Sequence, residues 1–257
     1  MAWTRRYDEP QPQRVNRWLA QSGVCSRREA EGMIGAGLVS IDGEVVTDPG
    51  RKILPGQTLV LSDAAQAGLE SSLSVVIHKP VGVVSAHADE DQVPAVRLLT
   101  PERLVGESAI PDLHNRLAPL GRLDMDSRGL LILSEDGVLA KAVIGPDSAL
   151  DKEYLVRVSG AVTEVKVRRL RHGLTLDGRH LKVAKVRSEG EGTLRFILTE
   201  GRNRQIRRMC EMVDLEVTDL LRLRIGPLKL GDLPEGSWRA LTAEERAALI
   251  RDSVPRG

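Results

Sequence analysis

The sequence predicts an α+β protein, with a small amino-terminal module of two helices and a small sheet ahead of a larger domain built on a β-sheet. Three features predict it. Residues 14–61 read as helix, helix, hairpin and strand; residues 62–72 are small and polar; and from Leu73 onward strands outnumber helices without alternating strictly with them. In the module, Val15, Trp18 and Leu19 recur at helical spacing, and Gly23 closes that short helix. Ser26-Arg-Arg-Glu29 is a capping box, in which hydroxyl and carboxylate each satisfy a backbone N–H; it opens a second helix running to Gly35–Gly37. Val39 to Val46 alternate around Asp42-Gly43, a pair that tolerates positive φ and so marks a hairpin. Pro55-Gly56 turns the chain into a strand over Gln57–Leu61.

The stretch Ser62–Ser72 reads as an interdomain linker. The larger domain, residues 73–251, begins with the apolar strand Val75–Ile77, broken by Pro80 and Gly82. Further strands are expected at Leu130–Leu133, Glu153–Val158, Lys182–Val186, Leu194–Thr199 and Val217–Ile225. Helices are expected at Gly137–Val143, Thr163–Arg171, Asn203–Val213 and Thr242–Arg251, the last behind a second capping box, Thr242 to Glu245. There is no internal repeat and no low-complexity tract.

Composition narrows the class. The 257 residues are 41% hydrophobic and 28% charged, ordinary for a globular chain able to bury a substantial core. No apolar run approaches the roughly eighteen residues of a membrane span, and Met1–Gln13 has no apolar leader core, so a cytoplasmic protein is expected. Cys25 and Cys210, far apart in sequence, read as plain thiols in a reducing compartment. The net charge is only +1, but its distribution is uneven. Arg5, Arg6, Arg14, Arg17, Arg27 and Arg28 crowd the start, and Arg202, Arg204, Arg207 and Arg208 share one acid-free stretch, while acids gather between Asp89 and Asp136. Such clusters suit a polyanion; composition alone would equally allow solvated helix faces.

Three segments could carry chemistry. Gly121-Arg-Leu-Asp124-Met-Asp126-Ser-Arg-Gly129 is a glycine-bounded polar loop entering a buried strand, a setting that holds side chains rigidly. Its Asp124, Asp126, Gly129 and Glu135 mimic a calcium loop, but Arg128 and Ile132 occupy positions that need oxygen ligands. Lys152-Glu-Tyr154-Leu-Val-Arg-Val158 is an alternating strand, and Tyr154 is one of only two tyrosines in a chain poor in base-stacking surface; taken alone, core packing explains it better. Glu200-Gly-Arg-Asn-Arg-Gln-Ile-Arg207-Arg-Met-Cys210 ends a strand and begins a basic helix, suited to phosphate contacts. His78, His87, His114, His172 and His180 lack metal-ligand spacing, neither cysteine has a ligand partner nearby, and no nucleophile-elbow or phosphate-loop motif occurs.

Together these segments resemble, in order and spacing, the catalytic motifs of the RsuA/RluB/RluE/RluF family of pseudouridine synthases. The module with Val24-Cys-Ser-Arg-Arg-Glu-Ala30 and the Asp-Gly hairpin resembles an S4 RNA-binding domain, and Lys79-Pro-Val-Gly-Val-Val-Ser85 and Gly236-Ser-Trp-Arg-Ala-Leu-Thr242 also fit. The likeness runs from about Arg14 to Ile250; residues before Arg14 are an extra polar lead. It implies a mixed, largely antiparallel catalytic sheet with flanking helices, and isomerisation of uridine in ribosomal RNA without cofactor or metal, by a monomer. Cys25–Glu29 and Asn203–Cys210 lean towards members acting on 23S rRNA, of the RluF type, with tRNA a further possible partner. Residue by residue, the resemblance makes Asp124 the nucleophile, Arg207 the cation paired with it, Tyr154 the base-stacking residue, and Arg122 a clamp on the flipped nucleotide. Arg14, Arg17, Ser26, Arg27 and Arg28 of the module, with Arg202, Asn203, Arg204, Gln205 and Arg208, would contact RNA. Two alternatives stay open: a non-catalytic RNA-binding assembly factor on this scaffold, and a nucleoside hydrolase using Asp126 as a second carboxylate.

Overall fold

A computed structural model describes residues 3–86, 89–112, 115–172 and 174–254; His87 and His114, considered above as ligands, lie outside them. The chain divides into two compact units, Met1–Leu73 with Ser134–Lys141, and Ser74–Leu133 with Ala142–Gly257.

The first unit is the expected pair of helices and small sheet, with additions at both ends. β1 (Thr4–Arg6) leads into α1 (Val15–Gln21) and α2 (Arg27–Gly35), followed by β2 (Val39–Ile41), β3 (Glu44–Val46) and β4 (Thr58–Leu61). The sheet order is β1-β4-β2-β3, all antiparallel. The capping box at Ser26 and Glu29 is present, and Asp42 and Gly43 take positive φ at the hairpin. The polar lead is therefore part of the fold. β1 pairs with β4, Tyr7 is 1% exposed, and Trp3 and Tyr7 meet Trp18 edge-on with ring centroids at 6.1 and 5.2 Å. Half of the chain's six aromatic residues are thus spent on one cluster, a concentration of Trp3, Tyr7 and Trp18 visible in the sequence.

The expected linker is a helix, α3 (Asp63–Glu70), and this corrects the reading of Ser62–Ser72 as loose chain. Ser62 caps it by accepting the Ala65 N–H, alanine, glutamine and leucine favour it, and Ala65 and Leu69 pack on the core of the first unit. Residues 134–141 join the same unit through Glu29, whose carboxylate accepts the Gly137 N–H, and through the Leu73 N–H donated to Glu135.

The second unit contains β5 (Ser74–Lys79), β6 (Arg128–Ser134), α4 (Gly137–Ile144, begun in the first unit), β7 (Lys152–Ser159), α5 (Glu164–Arg171), β8 (Lys185–Gly190), β9 (Thr193–Leu198), α6 (Gln205–Glu211), β10 (Glu216–Ile225), β11 (Trp238–Ala240) and α7 (Ala243–Asp252). Its main sheet runs β8-β9-β7-β10-β6-β5-β11. β6 and β10 are parallel, whereas β8/β9, β7/β9, β7/β10 and β5/β11 are antiparallel, so the sheet is mixed and largely antiparallel. Thr242 caps its helix as expected, and Thr163, expected as the first helical residue, caps α5 instead. Strand β8 begins at Lys185 rather than Lys182, because the Lys182 N–H is taken by the Glu200 carboxylate outside the ladder. Helix α6 starts at Gln205, two residues late, because Arg204 before it sits in the left-handed region at φ 48°. One buried core lies between this sheet and α5 and α6, with Phe196, Leu194 and Cys210 fully enclosed. Both cysteines are buried free thiols; burial, aided by Glu29 at Cys25 and by Glu211 at Cys210, pushes each up to about 12.

Candidate active site

The loop 121–127 is held to the sheet from several sides. The Ser85 hydroxyl donates to the Leu123 carbonyl at 2.7 Å and accepts the Leu123 N–H at 2.8 Å, fixing the residue before Asp124. Behind it, Lys79 is fully buried at the end of β5, and its ammonium donates to the carbonyls of Pro80 and Val83 at 2.8 and 2.7 Å. The Gly82 N–H then donates to the Met125 carbonyl at 2.8 Å. Burial pushes the Lys79 amine down to about 8, against the opposing pull of Asp124 and Asp126. Where the loop joins β6, Gly129 has φ 111°, and a Cβ there would lie 2.4 Å from the Arg222 carbonyl oxygen, so only glycine fits.

The structure corrects the pairing of Arg207 with Asp124. Arg207 is buried, and its Nη1 donates to the Val217 carbonyl at 3.0 Å while Nη2 donates to the Asp126 carbonyl at 2.7 Å. Its Nε lies 3.3 Å from the Asp126 carboxylate. The cation nearest Asp124 is instead Arg204, at 3.5 Å, which also pairs with Asp126 at 2.9 Å. The reason is the left-handed backbone at Arg204, which turns that side chain over the loop while Arg207, a turn into α6, faces the strand ends. Burial pushes the Asp126 carboxyl up, but the hydrogen bond from Arg204 and the charges of Arg207 and Arg204 outweigh it and hold it below the ordinary range. Asp126 is thus committed to two guanidiniums. Arg128, the misfit in the calcium-loop pattern, binds Asp219 through two nitrogens at 2.9 and 2.7 Å.

Asp124 and Tyr154 line one cavity of about 540 Å³ in the second unit, together with Arg122, Lys152, Arg204, Arg207 and Arg222. Tyr154 sits mid-strand on β7, opposite Phe196 of β9 and Arg222 of β10, and packs on the core while facing the cavity. Arg122 is exposed, and no described residue pairs with its side chain. Among the described residues no cluster of three His, Cys, Asp or Glu could hold a metal ion.

The basic stretch after Gly201 is largely committed within the protein. Arg202 donates to the carbonyls of Leu176, Arg179 and His180, and Arg208 grips Asp177 through two nitrogens at 2.9 and 2.6 Å. Gln205 is buried, accepts the Arg202 N–H and donates to Glu200, so its expected RNA contact gives way to a structural one. Asn203 alone of this group is exposed without an internal partner among the described residues. In the first unit, Arg14, Arg17, Arg27 and Arg28 are exposed and unpaired among the described residues, while the Ser26 oxygen caps α2. Sequence reading placed Lys79, Ser85 and Lys152 in motifs without an individual role, and Arg222 in none. A lysine closing the apolar run Ser74–Lys79 was the available signal for the first.

A basic cavity with a carboxylate on a pinned loop, in a chain that also carries a small helical and sheet unit with exposed arginines, fits an RNA-modifying enzyme. The profile of the RNA pseudouridylate synthase family matches residues 74–212 and that of the S4 domain residues 13–59; the chain belongs to this family and is an RNA pseudouridine synthase, an isomerase. It is 34% identical over 240 residues to the dual-specificity RNA pseudouridine synthase RluF of Escherichia coli K12, covering 93% of this chain and 78% of that one. An uncharacterized RNA pseudouridine synthase of Aquifex aeolicus is 35% identical, with 93% and 94% covered, and one of Mycobacterium bovis 36%, with 98% of each. A pseudouridylate synthase crystal structure superposes with a TM-score of 0.64 at 26% identity, covering 92% of this chain and 99% of that one.

Proposed function

We propose that the protein isomerises a specific uridine of ribosomal RNA, in the 23S molecule, acting as a monomer with Asp124 as nucleophile and without cofactor. The reaction breaks the N-glycosidic bond, turns the base and joins ribose C1′ to C5, so no electrons are exchanged with a partner. A carboxylate suffices to hold the intermediate covalently. The observation that carries this reading is the placement of Asp124: on a loop pinned by Ser85 and Arg207, inside a cavity whose wall presents Tyr154. Tyr154 stacks on the uracil ring, and its hydroxyl lies towards the base proton that must leave. Arg204, rather than Arg207, supplies the positive charge beside the nucleophile. Arg207 keeps the loop in place through carbonyl bonds. Arg122, exposed at the rim, holds the extruded nucleotide, whose unstacking costs about a few kcal/mol.

The unpaired arginines Arg14, Arg17, Arg27 and Arg28 supply phosphate contacts from the S4 unit that offset this cost. The 23S assignment rests on Cys25–Glu29 and Asn203–Cys210. Mapping pseudouridine in ribosomal and transfer RNA from cells with and without the protein tests it. One 23S position lost on deletion is expected. Loss confined to 16S rRNA or tRNA would refute the assignment, and no loss anywhere would refute the activity on these RNAs. A bare assembly factor would leave every position modified.

A further inference from the structure

Two cations on the cavity wall have no part in the chemistry above. Lys152 and Tyr154 are two residues apart on β7 and so face the same way, and Tyr154 stands directly opposite Arg222 on β10. All three line the cavity. Several cations elsewhere in this unit are matched by acids, as Arg128 is by Asp219, Arg208 by Asp177 and Arg239 by Glu245, and the buried Lys79 ammonium is met by two carbonyls. Neither Lys152 nor Arg222 has a carboxylate within ion-pair distance among the described residues, and Asp151, the acid beside Lys152 in sequence, is taken by Arg224 at 2.6 Å.

Arg222 is 2% exposed; its Nε donates to the Leu130 carbonyl and its Nη1 to that of Arg122, while Nη2 is enclosed with no acceptor. The Lys152 ammonium has one long hydrogen bond, 3.4 Å, to the Leu150 carbonyl. Burial first, and then the charge of Arg222, push Lys152 below the ordinary lysine range, with Asp151 only partly opposing them. A buried guanidinium with an unused donor beside a half-buried ammonium is costly unless an anion joins them. A uracil carbonyl would satisfy the donor and leave the charge; in RNA, only the phosphodiester satisfies both.

We propose that Lys152 and Arg222 form an anion subsite that takes one backbone phosphate of the nucleotide held in the cavity, on the wall that carries Tyr154. Arg222 also ties this subsite to the nucleophile's loop, through the Arg122 carbonyl two residues before Asp124. The inference rests on the reading that the cavity binds an RNA nucleotide.

The test uses the full chain and unmodified 23S rRNA transcribed with uridine tritiated at C5, with dissociation constants over a salt series and tritium release measured separately. Lys152→Gln should weaken binding about tenfold, the worth of one charge-assisted contact. Its log–log salt slope should become shallower by about 0.7, one phosphate contact on unpaired RNA. Lys152→Arg and Arg222→Lys should keep the wild-type slope, since both keep the charge. A Lys152→Gln protein that binds with unchanged affinity and slope overturns the subsite, as does one that loses tritium release at an unchanged slope. Absence of tritium release from the wild type would instead overturn the proposed reaction, while the salt slopes would still decide the subsite.

Discussion

Replacing Arg207 by alanine should unfold the second unit more readily before it says anything about chemistry. The side chain is buried and gives charge-assisted hydrogen bonds to the carbonyls of Val217 and Asp126, at 3.0 and 2.7 Å. Each such bond is worth about 1.5–3 kcal/mol, so about 3–6 kcal/mol is the ceiling for the pair, whose acceptors are only partly buried. The ion pair with the Asp126 carboxylate adds less than about 1 kcal/mol, because that carboxylate is 44% exposed and screened. At about 2–4 °C per kcal/mol for a unit of this size, the melting temperature should fall by about 10 °C. Arg207→Lys can reach one carbonyl and should recover part of the loss. Arg204→Ala, removing an exposed side chain, should cost at most about 1 kcal/mol yet slow tritium release, because it removes the cation nearest Asp124. Thermal unfolding followed by circular dichroism, with release assayed on the same samples, separates the two arginines. An Arg207→Ala protein that melts like the wild type, or an Arg204→Ala protein that unfolds early with normal chemistry, would refute this division of roles.

Two further outcomes follow from packing and from charge. A Cβ at Gly137 would lie 2.2 Å from the Ser26 Cβ and 2.4 Å from its oxygen, so Gly137→Ala should destabilise the first unit by about 1–3 kcal/mol, read by urea unfolding; an unchanged midpoint would mean that the contact is not made. Lys79, pushed by burial down to about 8 from 10.5, makes the unfolded chain hold a proton the fold releases between those values. Its contribution to stability should therefore rise with pH across that window and be smallest below pH 8. The stability difference between wild type and Lys79→Met should move in the wild type's favour by at most about 1 kcal/mol per pH unit after screening, and a flat difference would contradict the burial.

What could be read from the sequence was what depends on neighbours in sequence. Both capping boxes, the Asp42-Gly43 hairpin and strands β6, β7, β9 and β10 rest on spacings of two to four residues, and all formed as expected. Helix α3 was missed because its serines and Gly68 look like linker, although Ser62 is a cap and the alanines between favour a helix. β1 was missed because its partner, β4, lies some fifty residues away and its own residues, Thr4-Arg5-Arg6, are polar and exposed. At the site, the loop and its carboxylate were legible, whereas the choice of guanidinium was not. It turns on the left-handed Arg204, a conformation that no pattern of side chains specifies. Arg222 was invisible for a related reason: in an alternating strand a cation reads as surface, and only the sheet order, with β7 on one side and β6 on the other, encloses it.

The proposed chemistry depends most directly on the Asp124 carboxylate. Asp124→Asn keeps the shape of the side chain and removes its nucleophilic charge, and the surrounding bonds to Leu123, Asp126 and Arg122 run through main-chain atoms that the change leaves alone. The measurement is single-turnover tritium release from C5-labelled unmodified 23S rRNA at saturating enzyme, with pseudouridine counted in the recovered RNA. The expected result is no release and no pseudouridine from the asparagine variant, while it binds the RNA with wild-type affinity and melts at the wild-type temperature. Release at a near-normal rate by that variant would contradict the assignment of Asp124.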